Sequence, residues 1–236
     1  MGKTVLINQP CGIGDIFFLQ KIVHLNIEKG NNVIYPINNN LLFLNDYIKF
    51  DNFQFVPIES NFEYKFLFNS TDYIEDDNVI YYPCCVADRY VSGCVMRAKY
   101  KRFGIDWEDW SDYFKYERNI DKENELFYNV LELTDDTKYN FVNKTYGTFP
   151  HSLVKHAVHP KKDLMNIEMR LIEGYTIFDW LKVIEKATNF YSVDTAILFL
   201  MENQKLVCEN NDIELWTRHT HYGDIDGLFK KNYKYN

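Results

Sequence analysis

The first 37 residues constrain the fold more than any other stretch. Lys3 to Asn8 (KTVLIN) is a short apolar run, the pattern of a buried strand. Pro10-Cys11-Gly12-Ile13-Gly14-Asp15 follows, where glycines permit a tight turn. Asp15 to Lys29 then carries Ile16, Leu19, Ile22, Val23 and Ile27 at helical spacing, and Gly30 ends the helix. Asn32 to Ile37 (NVIYPI) reads as a second strand. Strand, glycine turn, helix and strand in this order make a βαβ unit, the start of an α/β domain.

Further strands are predicted at Phe53 to Ile58 and Val79 to Tyr82, with a helix around Leu41 to Ile48. Trp107 to Arg118 is an aromatic and charged covering region, and Asn124 to Leu133 is a helix. A second alternation begins with strands at Tyr139 to Lys144 and Asn166 to Leu171 and a helix at Ile177 to Ala187. A strand at Phe190 to Val193, a helix at Ala196 to Glu202, a strand at Lys205 to Cys208 and a polar tail with a last helix complete it. The expected division is 1–138 and 139–236, two Rossmann-like lobes whose ligands sit at the carboxyl ends of the strands. At 236 residues the chain is short for two complete lobes, so the second is expected to be trimmed.

Charge bears on partners. Thirty-four acidic against 26 basic residues give a formal charge of −8, which argues against broad nucleic-acid binding but leaves room for a basic pocket around one nucleotide. No run reaches the about 18 to 20 apolar residues of a membrane span, and no secretory signal is legible at the start. Cysteines Cys11, Cys84, Cys85, Cys94 and Cys208 form no CxxC pair, which fits a reducing compartment. Cytoplasmic residence is the expectation, in the host cytoplasm if the chain is viral.

The turn at Gly12 to Asp15 offers unpaired helix N–H groups to an anion. It is neither a P-loop, since GxxxxGK[ST] is absent, nor a full GxGxxG fingerprint, since position 17 is Phe. Asp15 has two readings: a first-turn acid that meets the helix dipole, or a general base aimed at a ligand. Asp194-Thr195 reads either as a helix N-cap or as a ligand-binding turn. Lys144 reads as a solvated loop lysine or a phosphate contact.

CGIGDIFFLQKI resembles the N-terminal GxGD signature of the heptosyltransferase-like family, GT-B glycosyltransferases of the family-nine type that use nucleotide sugars. Tyr191-Ser192-Val193-Asp194-Thr195-Ala196-Ile197-Leu198-Phe199 is similar to that family's VDTGxxHLA segment, with Ala196 and Phe199 where it has Gly and His. The resemblance implies two Rossmann-like lobes facing across a cleft, an acceptor-side first lobe and a donor-binding second. Asp15 inherits the role of the base that deprotonates the acceptor hydroxyl. Gly14, Ser192, Asp194 and Thr195 fall in donor-binding segments, and Lys144 matches the lysine that offsets diphosphate charge. Arg170 and Glu173, after another predicted strand, are expected to meet phosphate and ribose.

The implied reaction is an inverting transfer of a hexose or heptose from a nucleotide sugar to a glycan or other hydroxyl-bearing acceptor. The nucleotide sugar is a co-substrate, and neither a metal nor a resident cofactor is expected. Phe199 motivates an alternative, a catalytically inactive GT-B-like module that binds nucleotide sugars or glycans; epimerisation of a nucleotide sugar is a third. His219-Thr220-His221 with Asp224 and Asp226 is read as a polar tail and not a metal site. Asp76-Asp77 and Asp135-Asp136 are solvated turns, and Cys84-Cys85 is a strand end and not a nucleophile.

Overall fold

The computed structural model describes residues 2–86, 95–144, 158–208, 213–217 and 227–236. Cys94 and the His219 to Asp226 segment lie outside the described residues. Contacts divide the chain into two compact units, one up to Glu117 and one from Arg118 onward. Among the described residues no helix is long and apolar enough to cross a membrane.

The first unit holds β1 (Thr4–Ile7), α1 (Ile13–Phe18), α2 (Gln20–Glu28), β2 (Asn32–Ile37), β3 (Phe53–Pro57), β4 (Ile74–Glu75), β5 (Val79–Tyr82), α3 (Val95–Lys101) and α4 (Trp110–Tyr113). Its sheet runs β3-β2-β1-β5-β4, parallel except for β4. Val5, Leu6 and Ile7 are fully buried, as a central strand covered on both faces must be. The helix expected from Asp15 to Lys29 is two helices that meet at Leu19. Ile16, Phe17, Phe18 and Leu19 are all buried, so this stretch packs on every side. Phe17 stacks on Phe114 with ring centroids 4.5 Å apart, and Phe18 meets Tyr100 edge-on at 4.8 Å. The helix expected at Leu41 to Ile48 is a 3₁₀ helix over Asn39–Asp46. Trp110 is fully buried and Trp107 lies under the Arg97 guanidinium at 4.9 Å.

His24 on α2 gives this unit a pH response. Its ring lies 4.4 Å from that of Phe50, and Nε2 is buried without a hydrogen-bond partner among the described residues. Burial, then the Lys115 charge, push its pKa below the ordinary 6.5, with Glu28 opposing. The unfolded chain therefore takes up the proton more readily, and stability present above pH 6.5 is lost as pH falls. The thermal midpoint of the wild type is expected to drop more between about pH 7.5 and 5.5 than that of His24→Phe; parallel curves would refute this.

The second unit holds α5 (Ile120–Asn124), β6 (Tyr139–Asn143), β7 (Met165–Glu168), α6 (Leu181–Lys186), β8 (Asn189–Val193), α7 (Ile197–Glu202), β9 (Ile213–Trp216) and β10 (Lys234–Tyr235). Its sheet is parallel throughout, ordered β10-β9-β8-β6-β7. Phe141 stacks on Phe190 at 5.1 Å between neighbouring strands. A π-helical turn over Glu125–Val130 continues α5. Residues 118–138 fall in this unit, since Leu126 and Phe127 are buried and the Phe127 ring lies 6.4 Å from that of Tyr139.

One expectation fails here. Lys205 to Cys208 is a turn: Leu206 and Cys208 are buried and the Val207 N–H donates to the Glu185 carbonyl at 2.9 Å, so its alternation seats it beside α6, and among the described residues it pairs with no strand. The last helix expected in the polar tail falls largely outside the described residues; the chain ends in β10, parallel to β9, with Asn236 N–H donating to the Leu215 carbonyl at 2.8 Å.

Candidate active site

A parallel sheet leaves a crevice where neighbouring strands continue to opposite sides, and ligands of open α/β sheets bind there. Each sheet has one such point. In the first, β1 lies between β2 and β5, so the chain leaving β1 and the chain leaving β5 diverge. In the second, β6 lies between β7 and β8. Asp15 sits at the first of these places and Ser192 at the second.

After β1 the ladder runs on for one residue: Asn8 N–H donates to the Tyr82 carbonyl at 2.9 Å, and Cys85 N–H to the Asn8 carbonyl at 2.8 Å. The chain then turns through Gly12 at φ 81° into α1, with Gly14 as its second residue and Asp15 in its first turn. The Asp15 carboxylate does not end in solvent. Its Oδ1 lies 3.1 Å from Nζ of Lys99, and the two side chains are 29% and 4% exposed. Lys99 also donates to the Cys84 carbonyl at 3.1 Å and to Oε1 of Gln9, whose Nε2 in turn donates to the Cys11 carbonyl at 2.7 Å. Three donors of a buried ammonium thus meet three acceptors, which is what its burial requires. Nothing in the motif signals Lys99, since 84 residues separate it from Asp15.

The other Asp15 oxygen, Oδ2, lies over Gly12: a Cβ built there would sit 2.4 Å from it. Gly12→Ala is therefore expected to displace the carboxylate and to cost about 1–3 kcal/mol of backbone strain at this positive φ. A thermal midpoint lowered relative to the wild type checks this; a variant equal to the wild type refutes it.

Burial raises the Cys84 thiol to about 12, with the Lys99 charge opposing, so it stays protonated and is no nucleophile. Tyr35, fully buried on β2, has a hydroxyl without a partner among the described residues, and burial pushes its pKa well above 10.0. Beside these residues a cavity of about 490 Å³ opens at the carboxyl ends of β1, β3 and β5, lined by Asn8, Ile58, Phe66, Phe68, Asn69 and Cys85 among others. The Phe66 ring is 73% exposed.

At the second switch point Asn143, the last residue of β6, pairs in register with Ser192 on β8. Its Nδ2 donates to Ser192 Oγ at 3.0 Å and to Thr195 Oγ1 at 3.1 Å. Ser192 Oγ donates onward to the Val193 carbonyl at 2.7 Å, and Asp194, buried, donates its N–H to the Trp216 carbonyl at 3.1 Å. Asn143 thus ties together two residues of the candidate donor segment. Lys144 next to it is half-exposed and pairs with Glu168 at 2.7 Å. Arg170 and Glu173 are exposed in the loop after β7, and among the described residues no hydrogen bond or ion pair joins them to this cluster. Phe199 is a core residue of α7 that meets Phe229 edge-on at 5.0 Å. Among the described residues no group of three or more His, Cys, Asp or Glu could hold a metal ion.

No family model and no curated protein matches the chain. It is similar to a solved structure described as the crystal structure of the glycosyl transferase family 9 from Veillonella parvula DSM 2008. That likeness has a TM-score of 0.54 at 8% sequence identity and covers 99% of this chain and 86% of that one. At such low identity the likeness is one of fold.

Proposed function

We propose that the chain is a glycosyltransferase that moves a sugar from a nucleotide-sugar donor to an acceptor hydroxyl, with inversion and with Asp15 as general base. The observation that carries the reading is a carboxylate at the switch point of the first sheet, one oxygen held by a buried ammonium and the other beside a glycine. The fold likeness to a glycosyl transferase adds support. In the reaction Asp15 takes the acceptor proton while the acceptor oxygen attacks the anomeric carbon. The bond from that carbon to the diphosphate breaks, and the electron pair leaves with the nucleoside diphosphate.

The acceptor enters the cavity beside Asn8 and Phe66, where an exposed aromatic face next to side-chain amides suits a sugar ring. The donor lies over Asn143, Ser192, Asp194 and Thr195, and Lys144 and Arg170 turn toward its diphosphate, with Glu173 at the ribose. No metal or resident cofactor takes part in this scheme.

The test is a screen of sugar nucleotides by thermal shift, followed by transfer assays in excess EDTA with the wild type and Asp15→Ala. Turnover by the wild type and its loss in the variant are expected. Equal turnover in both would sink the assigned base. Donor binding without turnover on any acceptor would leave a binding module instead.

A further inference from the structure

We infer that Lys99 is the positioning residue of this site: its buried ammonium fixes Asp15 so that Oδ2 alone is left to receive the acceptor proton. The inference rests on the general-base reading of Asp15 and deepens it. Lys99 is 3% exposed on α3, and burying an ammonium is costly unless every donor is met. Its three acceptors come from three separate elements. Gln9 lies in the loop after β1, the Cys84 carbonyl in the turn after β5, and Asp15 Oδ1 on α1, 3.1 Å away.

The lysine therefore ties together the two chain segments that diverge at the switch point and aims the acid of the first helix between them. A methionine of similar reach would fill the same space without the desolvation cost. What the methionine lacks is a charge on Oδ1. Oδ1 is held by the ammonium at 3.1 Å, and Oδ2 lies against Gly12, where only the missing Cβ makes room for it, so both oxygens are fixed in place. A base held in one orientation keeps the near-attack geometry that a loosely held one loses.

The variants are Lys99→Met and Lys99→Gln, assayed beside Asp15→Ala at saturating donor and acceptor. The glutamine amide can still donate to Cys84 and Gln9, so it preserves the buried acceptors if the methionine variant does not fold. The expected result is a turnover number about 10²-fold lower in both, with donor and acceptor KM within about twofold of the wild type. Lys99→Ala should recover part of that loss on addition of ethylammonium, which refills the cavity with the missing charge.

Wild-type turnover in the Lys99 variants beside a dead Asp15→Ala overturns the positioning role and leaves the base in place. Wild-type turnover in Asp15→Ala removes the base reading and this inference with it. A raised KM at unchanged turnover number also overturns it, because Lys99 would then act on a ligand and not on Asp15.

Discussion

Asp15→Asn is expected to lower the turnover number for sugar transfer by about 10²- to 10⁴-fold, the usual contribution of a general base, while the protein loses less stability than in Asp15→Ala. The amide is nearly isosteric with the carboxylate and its oxygen can still accept from Lys99, which lies 3.1 Å from Oδ1 in the wild type. It cannot take up a proton at neutral pH. Asp15→Ala loses the same chemistry and also strips an acceptor from an ammonium that is 4% exposed. That variant should therefore be less stable as well as inactive. The pair of variants separates the two readings of the first-turn acid. A capping or dipole acid would be worth about 0.5–2 kcal/mol of stability and nothing in turnover. A base shows a loss of turnover in the asparagine variant that far exceeds what its loss of stability can explain. Stability loss with retained transfer in Asp15→Asn would return Asp15 to a structural role.

Most of the sheet strands were legible because each is a short apolar run between turn residues. Val79 to Tyr82 and Tyr139 to Asn143 stand where periodicity sets them. The break at Leu19 was hidden because Ile16, Leu19, Ile22 and Val23 keep helical spacing across it, while the partners of Phe17 and Phe18 come from distant residues, Tyr100, Trp110 and Phe114. Lys205 to Cys208 misled because alternation records only which side chains are buried, and a turn under a helix buries the same ones. At the site, Asp15 was visible through its glycine turn, whereas Lys99 was not. A lysine flanked by Ala98 and Tyr100 in VMRAKYK reads as a solvated helix position, and only its long-range partners make it a buried one. Asn143 escaped notice beside the charge of Lys144, although Asn143 is the residue that joins Ser192 to Thr195. Phe199 is explained by its place in the core against Phe229, where a polar side chain would lack a partner.

Arg118→Met should cost the second unit about 3–5 kcal/mol, the effect of removing one partner from a buried charge cluster. The guanidinium donates through Nε to Glu123 at 2.8 Å and through Nη2 to the same carboxylate. It donates to both oxygens of Glu185 at 2.7 and 2.9 Å, and to Gln204 at 3.2 Å. One side chain thereby links α5, α6 and Gln204, two residues past the end of α7. The Glu123 side chain is 1% exposed, so without the arginine its charge has no solvent to turn to. Burial already raises the Glu123 pKa above 4.5, and Arg118 opposes the shift. A carboxyl raised in the folded state binds more protons folded than unfolded, so its contribution to stability falls as pH rises through the carboxylate range. The deficit of Arg118→Met relative to the wild type is therefore smallest under acid conditions and reaches its full size near neutrality. Arg118→Lys should recover only part of it, because a single ammonium cannot fork to two carboxylates. Hydrogen exchange at the β6 and β8 amides reads the second unit separately from the first. An opening free energy unchanged in Arg118→Met, or a deficit that grows toward acid pH, would show that the cluster does not hold this unit together.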